Sequence, residues 1–259
     1  MKRLFGVCVV ALLLGAVNQT QAQITVFSDN FNQFANGVNL LGTNYTPAIG
    51  NHVDFNSRTG SPTVVAQSFS GNIAASFTLG ASPSAASYYL AYNPLGYQAF
   101  TLAWNQEIAS SMVSTGGFMI NLQSAEGANS FSPIVALMDN GAIGTFTNSP
   151  SLDTFIPIGN WTTYAAPGTF MTNSLTVNYG GNWSFRINGA LVYTAAMSSF
   201  FTNILGAIEF DAWHEMDTPD NSYAIDNVTV TVPEPSALLL TLAGCSVLLF
   251  RRRTASRNK

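Results

Sequence analysis

The 259-residue chain carries nine Lys and Arg against thirteen Asp and Glu, a formal charge of −4, and only 8% of its residues are charged. All thirteen acids lie between residues 23 and 235, a stretch that holds only two cations, Arg58 and Arg186, and so has a formal charge of −11. A surface of that sign repels a phosphate backbone and excludes nucleic acid as a partner, while divalent cations and neutral glycans suit it.

Met1-Lys2-Arg3 is a short basic start, followed by an apolar run from Leu4 to Val17 and small residues at Thr20 and Ala22. This is the charged, apolar, small-residue order of a secretory signal, and it predicts a signal peptide over 1–22 with cleavage after Ala22. The only cysteines, Cys8 and Cys245, fall in the end segments. An exported domain over 23–231 therefore has neither disulfide nor thiol, and is long enough to rest on one core of its own.

Asp29-Asn30-Phe31 opens that region. Strands are predicted over 63–69, 73–79, 100–108, 134–138, 207–214 and 223–232, with a further alternating run at Phe118, Ile120 and Leu122. The Ala- and Ser-rich stretch 81–87 reads as a loop. After it come Tyr88, Tyr89, Tyr92 and Tyr97 around a proline-containing loop, and all four are candidate glycan contacts, Tyr92 and Tyr97 foremost. In 171–195, Leu175, Val177 and Tyr179 alternate with polar residues, as do Trp183, Phe185 and Ile187. Gly180-Gly181-Asn182 and Asn188-Gly189 punctuate them, which predicts a three-stranded meander with a tight second turn. About ten short strands between polar turns point to an all-β chain, a single β-sandwich of the jelly-roll kind. The order of Trp161, the strand around Leu175, and Trp183 through Gly189 resembles the laminin-G and concanavalin-like sandwiches.

Absences narrow the chemistry. Residues 23–235 contain no lysine and no cysteine, so they offer no phosphate-binding Gly-Lys loop, Schiff base or thiolate nucleophile. His214-Glu215 lacks the second histidine of a zincin motif, and no Gly-x-Ser-x-Gly elbow occurs. One cluster remains, Glu209-Phe210-Asp211-Ala212-Trp213-His214-Glu215. On a strand, Glu209, Asp211, Trp213 and Glu215 share one face. Two carboxylates beside an aromatic platform can cleave a glycosidic bond or hold a sugar. Glu209 and Asp211 resemble the start of the laminarinase-like Glu-x-Asp-x-Glu motif. Trp213 stands where that motif has an acid, and Glu215 comes late. Glu209, Asp211 and Glu215 are therefore candidate catalytic residues, and Trp213 a candidate ligand contact. Ile225-Asp226-Asn227-Val228 resembles an element of carbohydrate-binding modules that hold a structural calcium. The resemblance implies Asp29, Asn30 and Asp226 as oxygen ligands of Ca²⁺. The same residues also suit turns closed by their own side chains.

Val232-Pro233-Glu234-Pro235 precedes an apolar run over 237–250, then Arg251-Arg252-Arg253. As a helix that run would reach about 21 Å, short of the ~30 Å hydrocarbon core, which suits a temporary membrane anchor with its arginines on the cytoplasmic side. These three parts resemble the PEP-CTERM sorting signal, over 232–259. The resemblance implies processing near Pro235 by an exosortase, in a Gram-negative-type bacterium that makes extracellular polysaccharide. The expectation is an exported, non-enzymatic surface or matrix protein that associates with polysaccharide. A glycoside hydrolase and a self-associating surface protein are the alternatives.

Overall fold

A computed structural model describes residues 23–50, 52–79, 84–91, 99–109, 116–124, 131–146, 155–178, 180–197, 205–214 and 221–234. Ala22, Tyr92, Tyr97, Glu215, Pro235, the run 237–250 and the three C-terminal arginines lie outside them. Thr25–Thr231 form one compact unit, and Met1–Ile24 with Val232–Lys259 form another. Among the described residues no helix is long and apolar enough to cross a membrane.

The strands begin with β1 (Gln23–Asp29), β2 (Asn44–Tyr45), β3 (His52–Thr59), β4 (Thr63–Phe69), β5 (Asn72–Leu79) and β6 (Ser84–Ala91). Next come β7 (Ala99–Ile108), β8 (Gly117–Ser124), β9 (Phe131–Met138), β10 (Ala142–Phe146) and β11 (Phe155–Asn160). The last are β12 (Met171–Asn178), β13 (Asn182–Ile187), β14 (Ala190–Ala196), β15 (Leu205–His214) and β16 (Asn221–Pro233). They form two eight-stranded sheets, the sandwich that the alternation predicts. Sheet I runs β14-β13-β12-β7-β16-β5-β4, with β1 beside β16, and sheet II runs β11-β10-β9-β8-β15-β6-β3-β2.

Period-2 patterning decides which residues face inward. Along β7 every second residue is buried, from Phe100 through Leu102 and Trp104 to Ile108. A chain of rings joins the layers. Phe185 and Trp104 of sheet I reach Phe210 of sheet II, whose ring lies 5.4 Å from Trp104, and Phe210 continues to Tyr88 and Phe55. Each fully buried ring contributes about 2–3 kcal/mol through the water it sheds.

The predicted meander is β12-β13-β14, with Asn188 and Gly189 both at positive φ in its tight turn. The stretch expected as a loop is a correction, because Ser84–Ser87 open β6, an interior strand paired with both β3 and β15. Alanine and serine are weak strand formers alone, but small side chains fit a strand held on both edges and covered on its inner face.

Candidate functional site

The site is built around β15, which lies between β8 and β6 in sheet II. Register places Glu209 opposite Tyr89 and Asn121, Asp211 opposite Ser87 and Met119, and Trp213 opposite Ala85 and Gly117. Phe210 and Ala212 alternate with them and face the core. Glu209, Asp211 and Trp213 therefore share the outer face, as their spacing requires.

That face does not leave its acids in water: Glu209 is 1% exposed and Asp211 7%. Glu209 Oε1 forms an ion pair with Arg58 of β3, whose side chain is 43% exposed. Its Oε2 accepts a hydrogen bond from Asn121 Nδ2 at 3.2 Å. Asp211 has no such support. Its Oδ1 is buried without a hydrogen-bond partner, and so is Asn121 Oδ1. Burial, and secondarily the Glu209 charge, push the Asp211 carboxyl up to about 7, with Arg58 pulling in the opposite direction. Tyr89 is raised by burial and by the charges of Glu209 and Asp54. Partly exposed Trp213 lies over Gly117, where a Cβ would sit 3.0 Å from the indole and 2.8 Å from the Leu137 carbonyl oxygen. A glycine at that point lets the ring lie against bare backbone. The arrangement joins an aromatic surface, a guanidinium and a pair of carboxyls, groups of the kind that can hold a sugar ring.

The residues proposed for calcium sit otherwise. Asp29 is fully buried, and its two oxygens accept four hydrogen bonds. Oδ1 takes Phe31 N at 3.1 Å and Gln33 Nε2 at 3.3 Å, while Oδ2 takes Tyr88 Oη at 2.8 Å and Tyr45 Oη. Four donors fill the acceptor capacity of a carboxylate, so Asp29 does not fit a cation ligand in this arrangement. The carboxylate and burial raise both tyrosines, burial being the larger cause. Asn30 is exposed and accepts from Asn32 N at 3.3 Å, a turn closed by its own side chain. Asp226 accepts from Asn227 N at 2.7 Å and Asn227 Nδ2 at 2.9 Å, at a bulge where Asn227 has φ +51°. Among the described residues, no three His, Cys, Asp or Glu side chains gather as a metal site.

Arg58 and Asn121 are not among the residues the sequence singles out, whereas Tyr89, a candidate glycan contact, lies opposite Glu209 in register. Arg58 is separated from Glu209 by 151 residues and Asn121 by 88, so only strand register reveals the grouping. Tyr88, one of the tyrosines expected as sugar contacts, is instead a core residue.

No protein-family model matches the chain, and no curated protein matches it. Solved structures do share its fold. The carbohydrate recognition domain of Emp47p aligns at TM-score 0.54 and 11% identity, over 83% of this chain and 99% of that one. The botulinum neurotoxin serotype D binding domain aligns at 0.52 and 15%, over 82% of this chain and 49% of that one. A sialidase aligns at 0.52 and 12%, over 70% of this chain and only 17% of its own length. These likenesses show a shared β-sandwich fold.

Proposed function

We propose that the protein is an exported, non-enzymatic glycan-binding β-sandwich that uses the outer face of sheet II. The observation that carries this reading is the grouping on one outer face of partly exposed Trp213, the exposed Arg58 guanidinium and the Asp211 carboxyl, which is short of donors. The absence of lysine from 23–235 and its −11 charge favour a neutral polysaccharide over an acidic one. The similarity in fold to the carbohydrate recognition domain of Emp47p lends support. Export rests on the signal-like segment ending at Ala22, and surface sorting on the PEP-CTERM-like segment 232–259 with an exosortase as its processing partner.

The test is affinity electrophoresis of the purified protein through gels containing neutral polysaccharides, run with calcium and with chelator. Retardation by at least one glycan is expected, and it should survive chelator, since Asp29 is already saturated. Equal mobility in every gel overturns the binding reading.

The glycoside-hydrolase reading is favoured by one feature, the Asp211 carboxyl lifted to about 7 beside Glu209. Reducing-sugar release that Glu209→Gln abolishes while the fold persists would establish it. The binding reading expects no release from either protein.

A further inference from the structure

A groove of about 510 Å³ opens on the outer side of sheet I, away from the β15 face. Its floor is Asn105 and Glu107 of β7 with Asp226 of β16, and Asn105 and Asp226 face each other in register. One wall is the β4–β5 turn, with Phe69, Ser70 and Asn72. The other is the Gly168-Thr169-Phe170 segment that leads into β12. Phe69 and Phe170, one from each wall, meet edge to face with ring centroids 5.2 Å apart, and Phe170 is partly exposed.

The polar groups are of both kinds. The Asn105 Oδ1 already accepts from Thr172 Oγ1 at 3.0 Å, which leaves its amide nitrogen to donate. The carboxylates of Glu107 and Asp226 accept. Burial raises Glu107, and burial with the Asp29 charge lifts Asp226 to about 6, a state expected of carboxylates without a nearby cation. A simple amine would leave the amide donor unused, and a uronate or sulfate would be repelled. A neutral pyranose uses every element at once: hydroxyls that donate to the carboxylates, oxygens that accept from the amide, and a C–H face for a phenyl ring.

We propose that this groove is a second glycan site, specific for a neutral sugar unit and separate from the β15 face. The two sites would let one protein bridge two chains or hold two points of one chain, a gain in avidity without a stronger individual contact.

The experiment is NMR titration of the purified protein with cellopentaose and with mannopentaose, up to about 10 mM, a range in which millimolar affinity registers. At least one should shift the side-chain amide signal of Asn105, with the shift retained in Trp213→Ala. Phe170→Ala and Glu107→Gln, an exposed ring and an isosteric change, should each weaken that response about ten-fold. Shifts confined to sheet II, or none in the groove with either sugar, overturn the second site. A groove response to Ca²⁺ alone, with none to sugar, overturns it in favour of a cation site. Because Trp213→Ala separates the two faces, loss of one site is distinguishable from loss of the other.

Discussion

Asp29 and Asp211 are both buried carboxylates, and they are built in opposite ways. Asp29 sits within a cage in which two tyrosine hydroxyls, an amide and a backbone N–H fill its acceptor positions. Asp211, on the outer face of sheet II, has an oxygen with no donor and a neighbouring carboxylate that resists its ionisation. A saturated carboxylate fixes the fold locally: here it ties the end of β1 to β2 and β6. A carboxylate left short of donors weakens the folded state and is explained by what it does when a ligand arrives.

The largest expected effect breaks the first half of that contrast. Asp29→Ala strips the acceptor from four donors, two of them phenolic hydroxyls in the core. It should destabilise the protein by about 4 kcal/mol, read as a lower urea midpoint at unchanged slope. A loss of under about 1 kcal/mol would mean that the cage is incidental.

Asp211→Asn should act in the opposite direction. A carboxyl whose folded pKa of about 7 lies above its ordinary value of 3.8 holds its proton more tightly in the folded state. Its contribution is therefore most favourable below about pH 4 and is lost as pH rises through 7. The variant removes that loss, so its advantage over the parent should widen between pH 4 and 8, to on the order of 3 kcal/mol. Urea curves at the two ends of that range give the sign directly. A constant offset would contradict it.

How much of this contrast the sequence carries differs between its halves. Glu209, Asp211 and Trp213 fall on one face because strand periodicity is local and needs nothing but their spacing. The Asn188-Gly189 turn is legible for the same reason, since both residues favour the left-handed region the turn requires. The Asp29 cage is not legible, because Tyr45 and Tyr88 are 16 and 59 residues away and nothing local marks them as its partners. Ser84–Ser87 hide in the same way: their strand is specified by β3 and β15 on either side, not by their own propensity. Oxygen-rich residues such as Asp29 and Asn30 look alike as metal ligands and as turn formers until their donors are seen.

The smallest expected effect on stability, and a large one on binding, comes from Trp213→Ala. The indole is partly exposed and lies on backbone, so its loss should destabilise the fold by about 2 kcal/mol. Retardation in a glycan gel should fall about ten-fold, whereas Asp29→Ala, measured where it remains folded, should leave it unchanged.

The most direct test of the glycan-binding face is the titration of the Asp211 carboxyl followed by ¹³C NMR, with and without a polysaccharide that retards the protein. Alone, the group should titrate near 7. A sugar hydroxyl donating to the carboxylate stabilises the ionised form and should lower that midpoint. A midpoint that does not move when the glycan is saturating would show that the sugar binds elsewhere.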